Sequence, residues 1–307
     1  MRTWKLSLTH TIVFITLLTG CTHNQIIRNE SVNQNSRVRY IVIHFTSETF
    51  AESLKSLTED SSRPVSSHYL IPSPNDATYT RNKLLVHQLV DETQRAWHAG
   101  RSYWHGEKNL NDSSVGIEIV NTSSCATVDR EASQHEDELP AFPRCDFKAY
   151  PEEQITLLVR LLKDILARHP DIATINIVGH ADIAPDRKVD PGPLFPWETL
   201  HNLGIGPWQD PQTTTRYRRQ FEMKLPPLSL LQKNLNNLGY QINETGQNDL
   251  QSRLAVRAFQ FRFRPANPSG LFDAESAAIL YALIDRYREE QLDALLTKPN
   301  EHVTKTK

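Results

Sequence analysis

The sequence predicts an α/β or α+β domain followed by an all-helical region. Three observations carry this. Short β-branched runs alternate with helical periodicity over the first two-thirds of the chain. Apolar spacing becomes purely helical after residue 227, and a polar, Pro- and Gly-containing stretch separates the two regions. With 307 residues the chain is long enough for more than one domain. A formal net charge of −2 gives no electrostatic footprint for nucleic acid, so no nucleic-acid partner is expected.

Residues 1–20 read as a lipoprotein signal peptide. Arg2 and Lys5 form a basic start, and the apolar run from Thr11 to Leu18 is too short to span a bilayer. The run ends in Leu18-Thr19-Gly20-Cys21, which resembles the bacterial lipobox and makes Cys21 the expected lipidation site. Thr22 stands where an Asp would signal retention in the inner membrane. The resemblance therefore implies an outer-membrane location, lipid-anchored and facing the periplasm, with membrane contact through the lipid anchor only. Residues 21–36 are polar and aperiodic, as suits a tether.

Val38 to His44 is almost continuously apolar and β-branched, which predicts a central strand. Further strands are expected over Ser66–Ile71, Leu84–Val90, Val115–Val120 and Thr174–Val178. A helix is expected from Pro151 to Arg168. Glu152 and Glu153 suit its start, Ile155, Leu158, Val159, Leu162, Ile165 and Leu166 form one stripe, and Pro170 ends it. The linker is placed at 207–227 and the helical domain at 228–292, followed by a tail at 293–307. Within that domain Leu228, Leu231, Leu235 and Leu238 mark one helix, with Gly239 as its cap. Leu250, Leu254, Ala258 and Phe261 mark a second, and Ala277 to Tyr287 a third. These stripes suggest a small core of its own, so independent folding is expected.

Three Cys occur. With Cys21 assigned to lipid, Cys125 and Cys145 remain as an even pair around a polar, acidic stretch. In an oxidising compartment they allow a disulfide that closes this loop; two free thiols are the alternative.

Among twelve His, two stand out: His44 closes one buried-type strand and His180 another. Neutral imidazole is the commonest metal ligand, and strand ends are rigid platforms. The segment after His180 offers Asp182, Asp186 and Asp190, with Lys188 two residues before Asp190 and therefore on its side of an extended segment. Glu118 interrupts the apolar run Val115–Val120, where a carboxylate must be paired, bonded or functional. Strand alternation puts Glu118 on the face of Gly116, which would leave room for substrate. No HExxH, CxxC, GxSxG or phosphate-loop pattern is present.

Five motifs then converge. They are V-I-H-F-T at His44, S-S-H-Y-L at His68, A-W-H-A-G at His98, N-D-S-S-V-G-I-E ending at Glu118, and G-H-A-D-I-A-P-D-R-K-V-D-P-G-P-L-F-P-W from Gly179. In order and spacing they resemble the zinc-dependent N-acetylmuramoyl-L-alanine amidases of type 2, related to peptidoglycan recognition proteins, over residues 37–206. With the lipobox, the likeness is to the outer-membrane lipoprotein members. The resemblance implies a mixed central sheet flanked by helices. It implies one zinc ion per chain held by His44, His180 and Asp190, with Glu118 and Lys188 as catalytic residues. The reaction it implies is hydrolysis of the bond between N-acetylmuramic acid and L-alanine, in peptidoglycan or its muropeptides. Trp97, His98, Trp104 and Asn111 are the substrate-binding candidates; for the two Trp, burial in the core is an equal alternative. Ser269-Gly270-Leu271-Phe272-Asp273-Ala274-Glu275-Ser276 resembles the turn into the last helix of a three-helix peptidoglycan-binding domain, with Asp273 in place of a Gly. The alternative function is a non-catalytic muropeptide receptor on the same fold. Such a receptor need not keep His44, His180, Asp190 and Glu118 together, and all four are here.

The lipobox generates the first prediction. Cys21→Ser is expected to release the protein from the washed membrane fraction, read by fractionation and immunoblot; retention would point to another attachment.

Overall fold

A strand buried on both faces needs an unbroken apolar run. Tyr40–Phe45 (β1) is such a strand, with Ile41, Val42 and Ile43 fully buried. The computed structural model describes residues 27–125 and 144–290. The signal peptide, Cys21, the acidic stretch at 126–143 and the tail lie outside the described residues. The chain divides into two units, 1–35 and 36–307. In the first, residues 27–35 carry no helix or strand and are largely exposed.

In the second unit β1 is followed by α1 (Phe50–Thr58), β2 (Tyr69–Ile71), β3 (His87–Gln88), β4 (Tyr103–Trp104), β5 (Glu107–Lys108) and β6 (Ser114–Ile119). Then come β7 (Ser124–Cys125), β8 (Cys145–Asp146), α2 (Glu152–Arg168), β9 (Ile177–Gly179), α3 (His180–Ile183) and α4 (Trp197–Asn202). The last four helices are α5 (Pro211–Met223), α6 (Leu228–Leu238), α7 (Leu250–Phe263) and α8 (Ala274–Tyr287). Among the described residues no helix is long and apolar enough to cross a membrane.

The five-stranded sheet has the order β3-β2-β6-β1-β9. Strands β2, β6, β1 and β9 are parallel and β3 is antiparallel, so the sheet is mixed, as expected. Register pairs His44 with Glu118 and Ile43 with Gly179. The two faces divide by alternation. Ile41, Ile43, Ile117, Ile119 and Ile177 share one buried cluster with Ile155, Leu158, Leu162 and Ile165 of α2. Each such side chain contributes about 1.5–3 kcal/mol relative to exposure. Tyr40, Val42 and Val178 occupy the opposite face. Open parallel sheets bind ligands at the carboxyl ends of their strands. His44, Glu118 and Gly179-His180 lie at those ends.

Several elements are shorter than their apolar runs suggest. The strand expected over Thr174–Val178 is a 3-10 turn over Thr174–Asn176 and then β9. Pro151 is the cap of α2 rather than its first residue. Cys125 and Cys145 face each other across the β7–β8 pair and are joined by a disulfide.

The linker placed at 207–227 is corrected. Pro211–Met223 is helix α5, capped by the Asp210 carboxylate, which accepts from the Thr213 amide. The Asp210-Pro211 pair inside that stretch is an N-cap followed by a Pro at the first helical position. Tyr217 and Phe221 of α5 are buried, with ring centroids 5.4 and 4.8 Å from that of Tyr281 on α8. Nor does the helical region close a core of its own. Its buried residues form one cluster with Tyr40, Val42, Trp104, Leu110 and Val178. Trp104 packs edge-on against Tyr240 with centroids 5.0 Å apart. Gly239 caps α6 with φ 144°, and a Cβ there would meet the Trp104 indole at 2.6 Å. The sheet face left uncovered by α2 is thus sealed by the C-terminal helices.

A chain ending near Pro211 would expose that face. It is expected to aggregate or lose cooperative unfolding, whereas the full chain should melt in urea in one transition. A soluble truncation with a sharp melt would show that the shared cluster is dispensable.

Candidate metal and catalytic site

The site is built by three neighbouring strand ends and one loop. β1 delivers His44, β6 delivers Glu118, and β9 runs directly into His180 at the start of α3. The loop from Ala184 returns to the sheet at Asp190, whose carbonyl accepts from the Ala181 amide at 2.8 Å. The Asp190-Pro191 peptide is cis, and the Pro191 carbonyl accepts from the Tyr150 hydroxyl at 2.8 Å.

His44, His180 and Asp190 are buried and present ligand atoms all within 4.8 Å of one another. The Nδ1 atoms of His44 and His180 are 2.8 Å apart, and Asp190 Oδ2 lies 3.2 Å from the first and 3.0 Å from the second. His180 Nε2 lies 3.3 Å from the Ala99 carbonyl and 3.4 Å from Arg187 Nη2, so the far side of the ring is held by both while Nδ1 is turned toward the other two ligand atoms. Two ring nitrogens and a carboxylate oxygen converging in one buried spot form a donor set that suits a metal cation. The sequence-predicted ligand set therefore converges and can hold a metal ion.

Charge states agree with this. Burial, and then the neighbouring His180, push His44 down to about 4, so its imidazole is neutral near pH 7. Burial lowers His180 as well. Burial alone would raise Asp190, but the two imidazoles outweigh it and hold the carboxyl well below its usual range. Two neutral imidazoles and a carboxylate are what a divalent metal requires. Glu118 behaves in the opposite way: burial and the Asp190 charge raise it well above the usual carboxylate value, against the pull of Lys188. Its Oε1 lies 4.0 Å from His44 Nδ1, and its Oε2 is buried without a hydrogen-bond partner.

A cleft of about 190 Å³ opens from these groups and is lined also by Trp97, Val65, Thr46, Glu48 and Lys188. Trp97 is 49% exposed on its rim. Of the other substrate-binding candidates, Trp104 and Asn111 lie away from the cleft. Trp104 is buried against the C-terminal helices, for the packing reason given above. Asn111 is buried, and its Oδ1 accepts from the amides of His98 and Ala99 at 3.2 and 2.7 Å, so it shapes the chain and cannot face the cleft as a donor set for sugar. His98 reaches the cleft but spends its ring on His44, with Nδ1 3.0 Å from His44 Nε2. The room beside Gly116 is also taken: a Cβ at Gly116 would meet the His98 ring at 2.4 Å, so the glycine accommodates imidazole rather than substrate. A larger open groove, about 990 Å³, runs past Tyr69, Glu92 and Arg168. Its carboxylate is engaged. Burial would raise Glu92, but hydrogen bonds from Arg168, Tyr69 and His169 prevail and hold it at about 2.

With the geometry established, likeness to known proteins decides the family. A family model described as N-acetylmuramoyl-L-alanine amidase matches residues 34–193, and one described as putative peptidoglycan binding domain matches residues 225–280. The N-acetylmuramoyl-L-alanine amidase AmiD of Escherichia coli strain K12 is 38% identical over 256 residues, which is 83% of this chain and 85% of that protein. The chain belongs to the N-acetylmuramoyl-L-alanine amidase family. The amidase fold also matches solved relatives. AmpDH3 of Pseudomonas aeruginosa, in complex with anhydromuramic pentapeptide, aligns with TM-score 0.76 at 40% identity, covering 87% of this chain and 99% of that one. E. coli AmiD, in complex with the substrate anhydro-N-acetylmuramic acid-L-Ala-D-gamma-Glu-L-Lys, gives TM-score 0.67 at 37% identity, covering 85% and 93%.

Sequence reasoning missed how this amidase holds α3. Asp182, two residues after His180, caps its own helix by accepting from the Gly179 amide at 2.8 Å. The same carboxylate accepts from Tyr240 at 2.5 Å and from Arg262 at 2.9 Å, both on the C-terminal helical region. Arg262 also donates to the Ile177 carbonyl at 2.9 Å and lies 3.9 Å over the Trp197 ring. The only sequence signal was an Arg inside the apolar run of α7. The Arg262–Asp182 pair is almost fully buried, with side chains 2% and 3% exposed. Removing one partner of a buried pair leaves the other charge uncompensated. Arg262→Met is therefore expected to cost about 3–5 kcal/mol of stability in urea unfolding. A loss below about 1 kcal/mol, the range of surface pairs, would show that the pair is not a structural anchor.

Proposed function

We propose that this chain hydrolyses the amide between N-acetylmuramic acid and L-alanine in peptidoglycan or its muropeptide fragments, with one zinc ion held by His44, His180 and Asp190. The observation that carries the reading is the unpartnered Glu118 oxygen beside three convergent acceptor atoms. Two His and one carboxylate suit catalytic zinc, which keeps a further position for water or substrate. The anhydromuramyl peptides held by the two solved relatives support the substrate class.

Bound there, zinc would supply a Lewis acid able to polarise the scissile carbonyl and to lower the pKa of the attacking water. Glu118 accepts the proton that this water gives up and delivers it to the nitrogen of L-alanine as the amide bond breaks. Its free Oε2 and its raised proton affinity fit both halves of that transfer. The Lys188 ammonium, on the same cleft, stabilises the charge that gathers on the carbonyl oxygen, a contribution of about 2.7–4 kcal/mol per donor in comparable sites. Trp97 offers an exposed indole face for sugar or peptide. A receptor would need none of this proton chemistry.

The match of residues 225–280 to a peptidoglycan-binding model supports a second contact with the polymeric wall. The lipobox supports attachment of this enzyme to the outer membrane through Cys21, in the periplasm where its substrate lies.

Chelation should abolish muropeptide hydrolysis and added zinc should restore it, read by mass spectrometry of the products. Glu118→Gln should lower turnover by about 10²-fold or more with zinc content unchanged. Lys188→Ala should behave likewise, while His44→Ala should lose the metal too. Normal turnover by Glu118→Gln would reduce Glu118 to a structural carboxylate.

A further inference from the structure

His44 must present a bare Nδ1 to serve as a ligand, yet its other nitrogen faces a second imidazole instead of a group that can only accept. A neutral imidazole pair is symmetric in this respect. Nε2 of His44 can donate to Nδ1 of His98, or the hydrogen can run the other way and leave His44 Nδ1 carrying a hydrogen that blocks the metal. Something beyond the pair has to set the direction.

Ser114 does so. Its Oγ lies 2.6 Å from the Leu110 carbonyl, which can only accept, so the hydroxyl hydrogen is committed there. The lone pairs of Oγ then face His98 Nε2 at 3.1 Å, and His98 Nε2 must carry the ring hydrogen. In the neutral ring Nδ1 is left bare, and it accepts from His44 Nε2 at 3.0 Å. His44 Nδ1 is then free of hydrogen and directed at His180 Nδ1 and Asp190 Oδ2. We propose that Ser114 and His98 are positioning residues that select the metal-binding tautomer of His44.

The surroundings are shaped for this relay. The His98 backbone is pinned by Asn111 Oδ1, and its ring lies over Gly116, where any Cβ would strike it. The ring of His68 stands edge-on to His98 with centroids 5.8 Å apart, and its Nδ1 accepts from the Gly116 amide at 3.0 Å, holding that stretch of β6 in place. Ser114, Gly116 and Glu118 alternate along one face of one strand. A single run of β6 thereby orients the relay, makes room for it and supplies the proton acceptor. Partners that fix a ligating His typically govern metal affinity by about 10- to 100-fold.

This inference rests on His44 being a zinc ligand, and its test separates the two. Zinc affinity is measured by competition with a chromophoric chelator for the wild type and for His98→Leu, His98→Gln and Ser114→Ala, with thermal melts to confirm folding. Gln can accept from His44 through its carbonyl and donate to Ser114 through its amide. It is expected to stay close to wild type, while His98→Leu and Ser114→Ala weaken zinc binding by about 10- to 100-fold. In parallel, metal-free protein carrying isotope-labelled histidine is examined by long-range nitrogen–hydrogen correlation at pH 8. His44 is expected to show its hydrogen on Nε2 in the wild type and a mixture of tautomers in Ser114→Ala. Failure of the wild type to bind zinc would overturn the zinc reading. Wild-type zinc binding with unchanged affinity in all three variants, or a hydrogen on His44 Nδ1 in the wild-type spectrum, would overturn the relay. Should His98→Leu fail to fold, Ser114→Ala and the wild-type spectrum still decide it.

Discussion

The convergence of two imidazole nitrogens and a carboxylate oxygen, 2.8–3.2 Å apart in a buried spot, is the constraint around which the structure is organised. The sheet answers it with rigid strand ends, since β1 and β9 are adjacent and parallel and each contributes one imidazole. Each imidazole is held from behind, His180 by the Ala99 carbonyl and Arg187, His44 by the His98 ring. The loop at Asp190 is tied back to α3 by its own carbonyl. What remains is a small polar cleft at the carboxyl edge of the sheet, with an unengaged carboxylate from Glu118 beside it.

Much of this was legible because it is local. Continuous β-branched runs gave β1 and β6 to within two residues, and the stripe of α2 is plain. His44, His180 and Asp190 stood out because strand ends and a Pro-Gly turn mark where side chains can converge. Other features were hidden for identifiable reasons. Helix α1 has a capping box, Thr49 with Glu52, in a polar context that masks it. Helix α5 begins with Asp-Pro, a pair shared by turns and helix starts, and only its packing on α8 separates the two readings. Trp104, in the β4–β5 hairpin, and Asn111, in the turn before β6, are near the site in sequence but buried away from the cleft, and sequence proximity does not tell which way a short element faces. The Asp273 that departs from the peptidoglycan-binding pattern is explained by capping: it accepts from the Ser276 amide at 2.8 Å and starts α8.

The partition of β6 shows how little sequence a site of this kind needs. Val115, Ile117 and Ile119 face the α2 layer and contribute burial. The intervening positions carry no such duty and are free to be a hydroxyl, a bare backbone and a carboxylate. Burial makes each of the three consequential, because a polar group without water must find a partner or a reaction.

The contact of Tyr240 and Arg262 with Asp182 bears on how such chains can recombine. A wall-binding module joined by a loose linker can be exchanged between enzymes by cutting in the linker. Here the acceptor for both side chains lies on the helix that starts with a metal-ligand candidate, and the indole that fills the seam comes from a hairpin of the catalytic region. A crossover between Asp182 and Arg262 would take the two members of the buried pair from different parents. Inheritance of the two halves is thereby linked, and a chimera between diverged relatives would have to carry Trp104, Asp182, Tyr240 and Arg262 together.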